Sequence, residues 1–526
     1  MHLFTGNFDA LEEHFLNFVS LGGKDPFDKA LVVLPSQRLQ NSLRRGLADA
    51  GGCISGVTFS NFTALSAGIN FAAGPDAKPL LPAGPQQDFI IKDILNSYSS
   101  LPPSRGYSKA FKAAFRDLIS AEVSVKDLLD LKNSGELPSP EQQKNLDEFI
   151  VCYNRYNEQI RKDGFDSYGE FFRKAALNAA HSPYLKGFKY IIFYGFYDLT
   201  ALQYNLFKEI CRGFDARVYF PYEDGPAFSF TKNFFEAYIY PLAKTAEKLQ
   251  KTQNPPALAA KNIFESSASV TQNAEMKFIS VSGTAAEVQA AAKELLLLNE
   301  KHHIPFNKIA VFARSMENYK YDIPSVFARN KIPVNYSFDF PLVNHPLAAF
   351  VYNLLSLGRN DFYSADAAAV LASPYFKNGK NGWRDIIKNS GITGGLSQWD
   401  GLTDLYVNSK NEQAKEAFRQ NAAEITAAVK LLSKYYPELE AAGNFDFLAE
   451  KATAFIETFT SSELSAQERN ILNAVKDIIS ETGGFSEIRK QAARGEFLEE
   501  VLSALKEAVY NKTESYENAV QAADIM

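Results

Sequence analysis

Two runs of continuously apolar, largely β-branched residues constrain the fold of this chain more than any other feature: Lys29-Ala-Leu-Val-Val-Leu34 and Tyr190-Ile-Ile-Phe193. A run that is apolar at successive positions suits a strand covered on both faces, as inside a parallel sheet flanked by helices. The first run is followed by Pro35-Ser-Gln-Arg38, then by Leu39, Leu43 and Leu47 at helical spacing. After the second, a helix is expected from Ala201 to Cys211 and a strand over Ala216-Arg-Val-Tyr-Phe220. Gly56-Val-Thr-Phe-Ser60 reads as a further strand, with a helix from about Asn61 to Phe71. Strands alternating with helices in this way build an α/β sheet.

Between the two runs the periodicity is helical from Gln86 to about Leu185, behind the Gly/Pro/Ala-rich stretch Gly74 to Pro85. An interval of about a hundred residues exceeds ordinary loop lengths, so a helical subdomain is expected to interrupt the sheet. Lys251 to Asn273 is polar and rich in Pro, Ala and Ser, a linker composition. A second α/β block is expected to open with a strand at Lys277-Phe-Ile-Ser-Val281. It continues with a helix carrying Val288, Ala292, Leu295 and Leu296, then a strand at Ile309-Ala-Val-Phe-Ala313. Beyond Leu342 the pattern is again mostly helical to the end. The expected layout is an α/β domain over 1–82 and 187–255 with a helical insertion at 83–186 and a linker at 256–274. The first part of a second, incomplete α/β domain follows at 275–342, and a second helical insertion at 343–526. A length of 526 residues suits three or four domains.

Composition excludes several classes. With 46% hydrophobic residues, 42 Phe and 25 Tyr, the chain can bury a sizeable core and is not a disordered protein. Its 55 Lys+Arg against 61 Asp+Glu give a net charge of −6, which excludes a wholly basic nucleic-acid coat but not a local basic groove. The cysteines Cys53, Cys152 and Cys211 form neither a disulfide framework nor a CxxC metal site. The first residues lack the basic start and apolar core of a signal peptide, and no run reaches the roughly 18 apolar residues of a membrane helix. The chain reads as cytoplasmic and without a membrane partner.

A phosphate-binding loop needs clustered glycines followed by Lys and Ser/Thr. At the place before the first helix stands Phe4-Thr-Gly-Asn-Phe-Asp-Ala-Leu-Glu-Glu13, with the single glycine Gly6, no lysine and three acids that repel triphosphate. Thr5-Gly6 reads as a strand-to-helix turn. Glu275-Met-Lys277 has Glu-x-Lys spacing but lacks the partner acid of a nuclease site, and His302-His303 reads as exposed loop.

The segment Ile191-Ile-Phe-Tyr-Gly-Phe-Tyr-Asp-Leu-Thr-Ala-Leu-Gln-Tyr204 resembles motif II of superfamily 1 helicases of the UvrD/RecB type. In that pattern the strand ends in Asp-Glu, which holds magnesium and polarises the attacking water. Tyr194 and Gly195 occupy those positions here and can do neither, while Asp198 and Gln203 remain. This altered form resembles the AddB-like family of double-strand-break nuclease subunits, in which an inactivated helicase fold precedes a PD-(D/E)XK nuclease. Val33 to Arg44 is similar to helicase motif Ia, Val57 to Phe62 to motif Ib, and Ile309 to Ser315 to motif IV, with Arg314 as its arginine. The resemblance covers roughly residues 1 to 375.

The resemblance implies two RecA-like, P-loop-type α/β domains carrying the two helical insertions. It also implies a non-catalytic region that binds and guides single-stranded DNA or a broken duplex end and braces an AddA-like motor subunit. Ser36, Gln37 and Arg38, with Thr58, Phe59 and Asn61, would meet the DNA strand. Gly6, Tyr194, Gly195, Asp198, Gln203 and Arg314 would mark the degenerate nucleotide site. For Asp198 or Thr200 the other role is capping the following helix, for Arg314 a structural salt bridge, for Phe59 the core, and for Arg44 and Arg45 a solvated helix face. The nuclease region would bring magnesium and an iron–sulfur cluster, but no nuclease signature is found here, so neither is expected in this chain. Two rival readings are an active ATPase or helicase using unfamiliar residues, and a protein scaffold without DNA contact.

Overall fold

The computed structural model describes residues 1–20, 25, 27–49, 56–74, 77–80, 84–99, 105–134, 139–250, 277–336, 338–404, 412–510 and 518–524. The expected linker at 256–274, Glu275 and Cys53 lie outside the described residues. The chain divides into two units, Met1–Lys277 and Phe278–Met526.

The first unit is built on a six-stranded, wholly parallel sheet. Its strands are β1 (His2–Gly6), β2 (Ala30–Val33), β3 (Val57–Ser60), β4 (Tyr190–Tyr194), β5 (Ala216–Pro221) and β6 (Thr245–Lys248), in the order β3-β2-β4-β5-β1-β6. Every residue of β2 is buried, as a strand covered on both faces requires. Helices α1 (Phe8–Val19) and α2 (Gln37–Asp49) lie on one face, where Leu11, Phe15, Leu43 and Leu47 pack on Val32, Ile192, Tyr194 and Tyr219. On the other face Phe193 meets Phe62 of α3 (Phe62–Ala73).

Between β3 and β4 run α4 (Pro85–Tyr98), α5 (Arg105–Ser120), α6 (Val125–Asn133), α7 (Pro140–Lys162) and α8 (Tyr168–Ala179). Phe115, Tyr153 and Tyr156 form an aromatic core for this helical block. It is tied to the sheet layer by α8, which packs against α3 and against the helix Ala201–Gly213. That helix follows α9 (Pro183–Lys186) and is α10; Phe207 from it stacks edge-on against Phe193.

The second unit contains a three-stranded parallel sheet of β7 (Ala310–Ala313), β8 (Val334–Tyr336) and a strand from the far end of the chain. Two short antiparallel ladders, β9 (Phe340–Pro341) with β12 (Val509–Tyr510) and β10 (Gly443–Asn444) with β11 (Gln491–Ala492), come between them in sequence. The last strand, β13 (Val520–Asp524), inserts between β7 and β8. A strand therefore lies near the end of the stretch 343–526, whose described residues are otherwise mostly helical. The final strand supplies the middle of the sheet, and Val520 and Ala522 are fully buried under α11 (Thr284–His302) and α12 (Asp322–Arg329).

The strand expected at Lys277–Val281 is corrected. No ladder includes the segment among the described residues. The remainder of this unit is helical, beginning with α13 (Pro346–Ser356). No helix among the described residues is long and apolar enough to cross a membrane.

Candidate functional site at the carboxyl edge of the first sheet

In an open parallel sheet the strand ends and the helices leaving them form the ligand-binding crevice at the carboxyl edge. Here that edge has two contrasting regions. At the end of β1 the position of a phosphate loop is occupied by protein. Gly6 has φ +153°, and a Cβ added to it would lie 2.5 Å from the Leu249 carbonyl oxygen. The Leu249 N–H donates to the Thr5 carbonyl at 2.7 Å, locking the chain after β6 across the turn. The Asn7 side chain accepts the Ala10 N–H at 2.8 Å and so satisfies one of the free donors at the N-terminus of α1.

At the end of β4, Tyr194 points into the core rather than the crevice. It is 1% exposed and packs on Phe15 and Tyr219, and burial drives its hydroxyl far above the usual tyrosine range. Gly195 turns the chain with φ +79°, and a Cβ added there would lie 2.7 Å from the Leu39 side chain. Gln203 is engaged in a reciprocal cap of α10. Its Oε1 accepts the Thr200 N–H at 3.1 Å, and its own N–H donates to Thr200 Oγ1 at 3.3 Å. Thr200 therefore does the capping, while Asp198 is exposed on the turn before it.

The ends of β2 and β3 are open and adjacent. Val32 pairs with Phe59 and Val33 with Ser60, and the Leu34 N–H reaches the Ser60 carbonyl at 3.0 Å. Ser36, Gln37 and Arg38 follow β2, and Asn61 follows β3, so this parallel pairing sets the two groups side by side. Ser36 Oγ accepts the Leu39 N–H at 3.3 Å, Gln37 donates to Asn41 at 3.4 Å, and Asn61 Oδ1 caps α3 through Ala64 at 2.9 Å. Gln37, Arg38, Thr58 and Asn61 are exposed. Phe59 packs on the core below α2, and the Arg44 guanidinium sits 5.3 Å from its ring centroid. Arg44 is thus held against an aromatic face, not on a purely solvated one as expected. The cause is tertiary: pairing β2 with β3 lays α2 over β3.

Arg314 belongs to the second unit, at the end of β7, where it lines a cavity of about 490 Å³ with Glu287, Phe312 and Asn318. The salt bridge expected for it is not formed among the described residues. The aromatic cluster after Pro226 is divided between core and surface. Phe235 stacks on Tyr222 at 4.4 Å, whereas Phe230, Tyr238 and Tyr240 are exposed. Sequence reasoning missed the Leu249 lock and the Asn7 cap; Asn just before an apolar helical run is the signal that marks the latter.

Among the described residues no group of three or more His, Cys, Asp or Glu side chains is placed to hold a metal ion. Tyr194 and Gly195 offer no magnesium ligand. Cys152 and Cys211 are buried separately, and burial pushes the Cys152 thiol up to about 11.

No family model matches the chain. Two curated relatives do. One, from Bacillus subtilis (strain 168), is 20% identical over 370 residues, which is 64% of this chain and 32% of the relative. The other, from Acetivibrio thermocellus, is 23% identical over 297 residues, 51% of this chain and 23% of the relative. Each carries the name of the B subunit of an ATP-dependent helicase/deoxyribonuclease. This chain is similar to those B subunits. It spans less than a third of the length of the curated relatives it matches.

Proposed function

We propose that this chain is a non-catalytic, helicase-like region of a B-type helicase/deoxyribonuclease subunit acting in DNA repair. Its two α/β units correspond in this reading to RecA-like domains. Its carboxyl edge holds and guides a DNA strand at a broken end, and its other surfaces brace an AddA-like motor subunit. The observation that carries the reading is the contrast along one sheet edge. Where a nucleotide would sit in this reading, the Leu249 carbonyl abuts Gly6, Asn7 caps one N–H of α1 and Tyr194 is buried in the core. Further along the same edge, Ser36, Gln37 and Arg38 follow β2 and Asn61 follows the adjacent β3, with Gln37, Arg38 and Asn61 exposed and the exposed Thr58 within β3. The names of the two relatives support the repair role and a partner subunit.

The test is binding to a fluorescent duplex with a single-stranded tail across a salt series, with ATP hydrolysis followed in the same samples. The expected result is binding that weakens steeply with salt, since phosphate contacts release counterions, and no hydrolysis. DNA-stimulated hydrolysis would overturn the reading in favour of an active motor. Absence of both binding and hydrolysis would overturn the DNA role and leave a scaffold.

A further inference from the structure

The carboxyl edge of the first sheet changes character along its length. The turns after β3 and β2 carry Asn61 and Arg38, whereas the next three strands in the order, β4, β5 and β1, lead into aromatic residues. Tyr197 follows β4, Phe230 follows β5, and Phe8 opens α1 after β1. Their rings meet in series. Phe8 is edge-on to Tyr197 at 6.1 Å between centroids, and Tyr197 meets Phe230 at 5.2 Å. Three loops distant in sequence thus build one aromatic shelf. Tyr197, in the middle, is half-buried, but Phe8 and Phe230 are 41% and 67% exposed.

The shelf is held by groups that the core requires. Thr231 is 1% exposed, and its hydroxyl donates to the Tyr197 carbonyl, tying the short helix Ser229–Phe234 to the turn after β4. Phe235 stacks on Tyr222, so the far end of that helix is fixed as well. With Thr231 buried, its neighbour Phe230 is left facing water. Rings fixed in this way have lost their freedom before any ligand arrives, which favours binding of a flat group. A ring face accepts a nucleobase of any kind, because every base has a π-face. Asp9 and Asp198, next in sequence to Phe8 and Tyr197, are exposed acids that repel phosphate. A nucleic-acid strand would therefore meet the shelf through its bases and keep its phosphates for the Arg38 end. From β3 to β1 the sheet order has four strand spacings, about 19 Å at the usual separation. That length matches about five or six stacked nucleotides at ~3.4 Å each.

We propose that Phe8, Tyr197 and Phe230 form a stacking shelf for the unpaired bases of a single DNA strand whose backbone lies at Arg38 and Asn61. The inference rests on the DNA-guiding reading above and deepens it. Cationic and amide groups hold the backbone at the ends of β2 and β3, while the shelf takes bases without regard to their sequence. The end of β1, where the Leu249 carbonyl abuts Gly6, contributes a ring in place of a phosphate loop.

Two tailed duplexes of equal charge test the shelf with the full chain. One carries an oligothymidine tail, and the other a tail of abasic residues that keeps every phosphate and removes every base. The expected result is at least tenfold weaker binding of the abasic tail. Phe230→Ala should weaken binding of the thymidine tail at least fivefold and leave the abasic tail unaffected. The slope of log K against log salt should stay unchanged, since no phosphate contact is lost. Phe230→Leu, which keeps apolar bulk without a ring, should behave like Phe230→Ala. A 2-aminopurine placed in the tail should be quenched by the unaltered chain and much less by either variant. An unchanged urea midpoint reports that a variant is folded, and the comparison of the two tails needs no variant. Equal binding of the two tails would overturn the shelf and leave the DNA-guiding reading standing. Undiminished binding of the thymidine tail by Phe230→Ala, or by Phe230→Leu alone, would also overturn it, because the rings would then not be stacking bases. Binding of neither tail at any salt would overturn the DNA-guiding reading and the shelf with it.

Discussion

Replacing Gly6 by alanine probes the closed turn on which the non-catalytic reading depends. The added Cβ would meet the Leu249 carbonyl oxygen at 2.5 Å, and φ at +153° is a conformation that L side chains rarely adopt. The obstacle is backbone rather than the tip of a flexible side chain. Relief therefore requires moving Leu249 and stretching its 2.7 Å hydrogen bond to Thr5, which holds the last pair of β1 against β6. Backbone strain of this kind costs about 1–3 kcal/mol, and a weakened hydrogen bond adds about 1 kcal/mol. The first unit should lose about 2–4 kcal/mol, which at about 2–4 °C per kcal/mol is a fall of roughly 5–15 °C in its melting temperature. Urea unfolding followed by tyrosine fluorescence and by far-UV circular dichroism measures the change, with Gly213→Ala as control because that glycine is helical and its added Cβ would meet only the Ala180 Cα, at 3.8 Å. A loss under about 0.5 kcal/mol beyond the control would refute the reasoning. It would mean that the chain after β6 leaves β1 and that the turn is open to a ligand.

Tyr194 supplies a second check: Tyr194→Phe should be nearly neutral, whereas Tyr194→Asp should cost at least about 3 kcal/mol by burying a carboxyl group, without gaining ATPase activity. Urea titration and a phosphate-release assay read both effects. The second unit should lose stability in acid through His345, whose Nδ1 accepts the Leu347 N–H at 3.2 Å and caps α13. Burial lowers its pKa, opposed by Glu468, so the neutral form is favoured in the folded state. The contribution is full above the unfolded pKa of about 6.5 and is lost as pH falls through the lower folded value. His345→Asn, which keeps a capping oxygen, should flatten the urea midpoint between pH 7.5 and 5. In the salt series, Arg38→Ala should reduce the slope of log K against log salt by about 0.7 if one phosphate contact to a single strand is removed. An unchanged slope would place the DNA elsewhere.

Sequence and structure divide the candidate site between them. The reading of Gly6, Tyr194 and Gly195 as a degenerate nucleotide site rested on side-chain type, which decides whether a residue can ligate magnesium or act as a base. What fills the vacated position was not legible. The locking carbonyl belongs to Leu249, far along the chain from Gly6, and carbonyl positions leave no mark in residue identity. Arg44 on Phe59 is similar, since the contact exists only after β2 pairs with β3.

By itself the sequence determined the parallel sheet of the first unit. Ala30–Val33 and Tyr190–Tyr194 are apolar at nearly every position, and such strands are stable only with both faces covered. It also offered Thr200 as a cap, and Thr200 does satisfy a free N–H at the start of α10, whereas the Asn7 and Asn61 caps of α1 and α3 were not read from it. Only the tertiary structure decided strand neighbours. Val520-Gln-Ala-Ala-Asp524 is short and weakly patterned, yet it becomes the central strand of the second sheet through pairing with β7 and β8. Phe278–Val281 carries the stronger strand pattern and remains outside that sheet. Periodicity reports which faces seek cover, whereas pairing depends on which edges the rest of the fold brings within hydrogen-bonding reach.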